Sequence, residues 1–185
     1  SNNWISTSAY PVSTSYKQYF LGANGHMTRH VSGAAGMETM NWAQPGPGSQ
    51  VQFDGPVIKK GATLAGPMSA SFYASSTTKN LELIASVALV DAQGTVTPVA
   101  SGTVLGSLAT NIPSRSWVDK KGVPVKPYGE YVADNYLPAG SVNKYDFVIS
   151  PKFVAIPAGS KLRLTVTTQT PTQGSPRETL HGSQV

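Results

Sequence analysis

The chain contains no cysteine among its 185 residues. This absence excludes disulfide bonds, thiolate catalysis and any zinc site that depends on sulfur ligands. It leaves the cellular compartment open, because a bacterial protein can lack cysteine whether or not it is exported. We therefore assign no localisation from the sequence.

Charged residues are also scarce, at 12% of the chain against about 25% in ordinary globular proteins. The net charge is +5, but the bases are scattered and no basic run is longer than Lys59-Lys60 or Lys120-Lys121. Nucleic-acid binding needs a basic stripe, ideally interleaved with aromatic side chains. The sequence therefore gives no indication of a nucleic-acid partner.

Long hydrophobic runs are missing too. No apolar run approaches the ~20 residues needed to cross a bilayer, and nothing near Ser1 resembles a signal peptide. We expect no membrane partner, and we expect the chain to be a piece of a longer polypeptide.

Period-two alternation is the strongest pattern that the sequence does contain. Apolar side chains alternate with hydroxyl-bearing ones in residues 68–75, and residues 145–149 and 162–168 alternate similarly. In residues 81–90 both alternating sets are largely apolar, which predicts a strand covered on both faces. Turn signals containing Gly or Pro separate these runs, and helical periodicity is nearly absent. We predict an all-β fold, a jelly-roll β-sandwich of the galactose-binding-domain-like type with long irregular loops.

The length of the chain is sufficient for one domain with its own core. Residues 1–50 are predicted to form an opening segment and a first strand, residues 51–170 the sandwich core, and residues 171–185 a tail. Within this single domain, residues 111–138 form a long connection rich in aromatic residues, Pro and Gly. A loop that long with so many aromatics usually packs on something.

The residues needed for hydrolytic chemistry are not present in a usable pattern. No serine has the Gly-x-Ser-x-Gly frame of a nucleophile elbow. The nearest strings, Gly106-Ser107 and Gly159-Ser160, lack the glycine two residues before the serine. His26 and His30 would face the same way on a helix, but the glycines around them make a helix unlikely, so we interpret them as exposed loop residues. The aspartates are too dispersed for a calcium site. We therefore expect no catalytic residue, no metal and no cofactor on this chain.

Aromatic side chains are the remaining candidates for function. They could stack on sugar rings, as in carbohydrate-binding modules, or they could be buried against another domain. We favour the second interpretation and place the contact surface in residues 111–136 and 4–21. The candidate binding residues are Trp117, Tyr128, Tyr131, Tyr136 and Trp4.

Several short motifs carry a resemblance to a known family. The motifs are the opening run Tyr19-Phe20-Leu21-Gly22, then Leu64-Ala65-Gly66-Pro67, Leu89-Val90-Asp91, Ser101-Gly102 and the closing run Ala158-Gly159-Ser160-Lys161-Leu162. In this order and spacing they resemble the C-terminal, non-catalytic domain of X-Pro dipeptidyl-peptidase and cocaine-esterase-like serine hydrolases, from about Tyr16 to Thr170.

The resemblance implies a jelly roll that packs on an upstream α/β-hydrolase domain of the same polypeptide. That domain would hold the whole catalytic triad, so this chain alone would be no enzyme. The resemblance also implies that the jelly roll helps to wall the substrate cleft and that it could join subunits in a homo-oligomer. The alternatives are a free-standing carbohydrate-binding module and a structural or assembly module.

Overall fold

The structure is a computed structural model that describes residues 15–31, 37–41 and 49–168. These residues form ten strands and three short 3-10 turns, the latter at Ala23–Gly25, Gly106–Leu108 and Pro113–Arg115. The strands are β1 (Phe20–Gly22), β2 (His26–Thr28), β3 (Gln50–Asp54), β4 (Ala62–Ala74), β5 (Glu82–Val90), β6 (Val96–Leu105), β7 (Trp117–Val118), β8 (Pro124–Lys126), β9 (Asn143–Ile156) and β10 (Lys161–Thr167).

The larger layer is a six-stranded sheet in the order β1-β2-β3-β10-β5-β6. Its neighbours are antiparallel, except that β2 meets β3 in parallel at the single pair His26 and Asp54. The last strand, β10, lies between β3 and β5, so the middle of this sheet joins residues that are more than a hundred positions apart. Such pairings cannot be read from local periodicity.

The second layer is formed by β4 and β9, which are paired antiparallel from Ala62 opposite Ile156 to Ala74 opposite Asn143. The register shifts between Gly66 and Met68. Here the single residue Pro67 lies opposite two residues of β9, Ser150 and Pro151, so the extra residue of the bulge is in β9. Neither proline has an N–H to donate to the ladder. A third, two-stranded ribbon of β7 and β8 completes the described strands.

The core lies between the two layers and follows the predicted alternation. Ala70 of β4 and Tyr145, Phe147 and Ile149 of β9 are buried against Leu83, Ala85, Leu164 and Val166 of the larger sheet. The opposite face of β5 is buried as well, at Ile84 and Val90. The sequence therefore correctly indicated that this strand is covered on both sides.

Two hairpin-like turns have the same hydrogen-bond pattern and the same glycine position. Asp91 accepts hydrogen bonds at Oδ1 from the backbone N–H groups of Gln93 and Thr95, at 2.9 and 2.8 Å. Asp119 does the same for Lys121 and Val123, at 2.8 and 2.9 Å. In each turn the fourth residue is a glycine with positive φ, 86° at Gly94 and 79° at Gly122. An Asp-x-x-Gly sequence therefore makes the turn twice.

The predicted all-β sandwich is confirmed, since the described residues form strands in several sheets with almost no helix. The jelly-roll connectivity and the galactose-binding-like subtype stay predictions. No helix in the described part of the chain is long and apolar enough to cross a membrane.

Candidate functional site

The β7–β8 ribbon carries the predicted binding residue Trp117, with Tyr128 two residues beyond the end of β8, and the ribbon is fixed to the second layer. Ser69 of β4 donates a hydrogen bond from Oγ to the carbonyl oxygen of Pro124, at 2.9 Å. The side chain of Val125, the middle residue of β8, is buried. The ribbon is therefore attached to the sandwich through Ser69 and Val125. Within the ribbon, Trp117 of β7 and Lys126 of β8 form a cross-strand pair.

The residues on either side of the ribbon are joined by backbone hydrogen bonds. Ile112 N–H donates to the Tyr128 carbonyl at 2.8 Å, and Glu130 N–H donates to the Thr110 carbonyl at 2.9 Å. The side-chain amide of Asn111 donates to the carbonyl of Asp146 in β9, also at 2.8 Å. The connection predicted as irregular is therefore an ordered extension of the sandwich.

Two cations lie over two of the aromatic rings. The guanidinium carbon of Arg115 is 3.8 Å from the ring centroid of Tyr128, and Nζ of Lys126 is 4.5 Å from the ring of Trp117. Both distances are within the range of a cation–π interaction. Both rings were predicted from the sequence, whereas neither cation was. The signal for Lys126 is its spacing from Trp117 across an Asp-x-x-Gly turn.

Tyr131 is the most exposed of the predicted residues and has an unusual backbone. Its φ is +53°, in the left-handed region that few non-glycine residues occupy. The ring turns back over Gly129, where a Cβ atom would lie 2.6 Å from the Tyr131 hydroxyl oxygen and closer still to its ring carbons. The chain thus requires a glycine at 129 for the ring to lie in this position.

A polar network centred on the buried Ser107 fixes the chain just before Tyr136. Ser107, at 1% exposure, donates from Oγ to the Asp134 carboxylate at 2.6 Å and accepts from the Asn80 side chain at 3.0 Å. The Ser107 carbonyl accepts from the N–H of Asn135 at 2.7 Å. The residue before Tyr136 is therefore fixed to the sandwich, although its own side chain is exposed.

The structure places Arg115, Trp117, Lys126, Tyr128 and Tyr131 in one ordered segment, which we call the aromatic–cation surface. The exposed fractions of the predicted side chains are 40% for Trp117, 39% for Tyr128, 67% for Tyr131 and 46% for Tyr136. Tyr136 lies outside this segment, next to the residues that bond to Ser107, and Trp4 lies outside the described residues.

The described contacts of Ser107 do not form a serine-histidine-carboxylate arrangement. Ser107 does touch a carboxylate, but it is buried and hydrogen-bonded to Asn80, and no histidine takes part. His26 and His30 are both exposed as predicted, but the prediction that both lie in a loop was wrong for His26, which is the first residue of β2. Among the described residues no group of His, Asp and Glu could hold a metal ion.

The strongest electrostatic feature lies on the outer face of the larger sheet. Asp54 accepts from Nε and Nη2 of Arg163 at 2.6 and 2.9 Å, and from Nζ of Lys161 at 2.5 Å. Chiefly through the hydrogen bond from Arg163, these cations hold the pKa of Asp54 well below its usual range. The same contact raises the pKa of Arg163. This cluster ties β3 to β10 and has no contact with the aromatic–cation surface in the described hydrogen bonds.

The fold is similar to part of several solved hydrolases. A CocE/NonD family hydrolase from Staphylococcus aureus superposes with a TM-score of 0.73 and 15% identity, over 94% of this chain and 34% of that one. A second crystal structure of that hydrolase gives 0.72 and 17%, over 93% and 33%. An α-amino acid ester hydrolase gives 0.60 and 14%, over 82% and 28%. The chain thus spans about a third of the length of the hydrolases it matches.

No curated protein sequence matches the chain. A family model does match, over residues 1–181, and it describes the X-Pro dipeptidyl-peptidase C-terminal non-catalytic domain. The match covers nearly the whole sequence. The chain belongs to the family of X-Pro dipeptidyl-peptidase C-terminal non-catalytic domains.

Proposed function

We propose that this chain is the accessory domain of a larger serine hydrolase, and that it packs through the aromatic–cation surface on an α/β-hydrolase domain of the same polypeptide. In that position it walls one side of the substrate cleft of an ester- or amide-hydrolysing enzyme of the X-Pro dipeptidyl-peptidase type. The observation that carries the proposal is a set of exposed aromatic rings held in fixed positions by the backbone and by cations.

The physical argument concerns the composition and the rigidity of this surface. Aromatic residues and Arg are enriched in the cores of protein interfaces, and Trp, Tyr and Arg supply most hot spots. Side chains that are already ordered lose little conformational entropy when a partner covers them. Arg115 on Tyr128 and Lys126 on Trp117 are pre-arranged in this sense.

The carbohydrate-binding alternative receives less support from the same rings. A sugar stacks on an open aromatic face. One face of Tyr128 lies under Arg115, one face of Trp117 lies under Lys126, and the Tyr131 ring lies against Gly129. A protein partner can use ring edges and cations together, which suits the observed arrangement better.

Binding between this chain and the hydrolase domain of the polypeptide that carries it tests the proposal. Calorimetry on the pair should show that the double variant Trp117→Ser/Tyr128→Ser binds at least tenfold more weakly, since each hot-spot truncation removes about 1–2 kcal/mol or more. The control is Tyr73→Ser, which removes a more exposed aromatic, at 75% exposure, from the outer face of β4. Equal affinity of the double variant and the control would overturn the proposal, as would measurable binding to polysaccharides that the same double variant abolishes.

A further inference from the structure

A cleft of about 610 Å³ runs beside β4, between the two layers of the sandwich. Every residue from Ala62 to Phe72 lines it. The opposite wall is formed by Leu162 and Leu164 of β10 and by residues 16–19. The cleft is lined mainly by apolar side chains and has the volume typical of a binding site, about 300–1,000 Å³.

The cleft follows the edge of β4 and not one of its faces. Successive side chains on a strand point to opposite faces, so a cleft that meets eleven consecutive residues must run along the backbone edge. Among the described residues β4 pairs with β9 alone. The outer edge therefore presents backbone N–H and C=O groups without a backbone partner in that part of the chain.

The open part of this edge is the segment 62–65. Near Ser69 the strand is covered by β8, which lies on the face of β4 that carries the Ser69 side chain and accepts the hydrogen bond from Ser69 Oγ at the Pro124 carbonyl. Pro67 and the bulge beside it separate that covered half from the open half. Proteins usually protect an exposed edge with charge, Pro or a bulge. β4 carries no charged residue, and its Pro and bulge lie outside the open segment.

We propose that the edge at 62–65 accepts an extended, uncharged strand from the rest of the hydrolase polypeptide, which adds a third strand to the β4–β9 layer. The added strand would use the unpaired backbone groups for affinity and place alternate apolar side chains in the cleft, next to Leu162 and Leu164. The occupant is a segment of the same polypeptide because the chain spans only about a third of the hydrolases it matches, which leaves the larger part outside it. This inference rests on the proposed function, but it concerns a different surface.

Hydrogen exchange distinguishes the two surfaces. We compare this chain alone with the whole polypeptide that carries it. The amides of 62–65 that point away from β9 should exchange at least tenfold more slowly in the whole polypeptide, and the amides already bonded to β9 should change little. Slowing in residues 115–131 without slowing in 62–65 would overturn this inference and leave the proposed function standing. Slowing in neither segment would overturn both.

A pair of charge substitutions provides the second readout. Thr63→Lys places a charge in the cleft, whereas Ala155→Lys places the same charge on its cross-strand partner in β9, which does not line the cleft. Both side chains are exposed, so the variants should fold equally well. We expect Thr63→Lys alone to abolish the slow exchange of 62–65. Equal behaviour of the two variants would contradict the inference. If hydrogen exchange at 62–65 in the chain alone becomes slower as the protein concentration rises, a second copy of the chain occupies the edge. That result would also overturn the inference.

Discussion

Gly102 of β6 packs directly against the backbone of Val148 in β9. A Cβ atom on Gly102 would lie 2.8 Å from the Val148 carbonyl carbon and closer still to its oxygen. The two layers therefore meet backbone to backbone along β6 and β9, while along β4 they are separated by the cleft. The sandwich is closed on one side and open on the other, and this asymmetry places the unpaired edge of β4 beside apolar side chains.

Replacing Gly102 with alanine tests how tightly β6 packs against β9. The added methyl group meets backbone atoms, which cannot rotate away, so the layers must separate. We expect a loss of about 3 kcal/mol in the free energy of unfolding, at the upper end of what overpacking produces, measured by urea denaturation. The control is Ser101→Ala, an exposed neighbour whose substitution should change stability by less than about 0.5 kcal/mol. Similar unfolding midpoints for the two variants would contradict the close contact.

The Asp54 cluster should make stability depend on pH in the acid range. Because the folded-state pKa of Asp54 is lowered, the unfolded chain binds more protons as the pH falls below the unfolded value of about 3.9. The stabilisation is thus complete at neutral pH and is lost progressively from about pH 5 downward. We expect Asp54→Asn to lower the free energy of unfolding by about 2 kcal/mol at pH 7. As the pH falls, the free energies of unfolding of the variant and the unmodified protein should approach each other. Glu130→Gln, at an exposed carboxylate, is the control, and a difference that is independent of pH would refute the assignment.

The buried network around Ser107 should contribute through coupled hydrogen bonds. Ser107→Ala leaves the amide of Asn80 and the carboxylate of Asp134 without this partner, and we expect a loss of about 2 kcal/mol. Asn80→Ala removes the acceptor of the Leu81 and Ser107 N–H groups and should cost about as much. The double variant should lose less than the sum of the two, because each single change already breaks their shared bond. If the two single losses in free energy of unfolding add up to the loss of the double variant, measured by thermal or urea unfolding, Ser107 and Asn80 contribute independently and the coupling is refuted.

The strands and turns could be predicted because their signals are local. The alternation in residues 68–75 indicates which side of β4 faces the core, and Ala70 is buried while Tyr73 is exposed. The signal for the Asp91 turn is also local, because Asp91 and Gly94 are three positions apart. The same pattern at Asp119 would have predicted the β7–β8 ribbon, and with it the pairing of Trp117 with Lys126.

The long-range features could not be predicted in this way. Asp54 and Arg163 are 109 residues apart, and nothing near either residue indicates the other. The position of β10 between β3 and β5 and the unpaired edge of β4 depend likewise on which strands meet. The aromatic candidates were identified by residue type, whereas their ordering by Arg115, Lys126 and Gly129 depends on contacts that only the folded chain displays.

Gly129→Ala separates the geometry of the aromatic–cation surface from the stability of the fold. The new methyl group would occupy the position of the Tyr131 ring, which is exposed and can swing into solvent, so unfolding should change by less than about 1 kcal/mol. The displaced ring should nevertheless alter binding, because an interface loses affinity when an ordered side chain must be immobilised again. We expect several-fold weaker binding to the hydrolase domain by calorimetry, and a matching loss for Tyr131→Ala. If Gly129→Ala binds normally while Tyr131→Ala does not, the ring contributes to binding but its position over Gly129 does not matter.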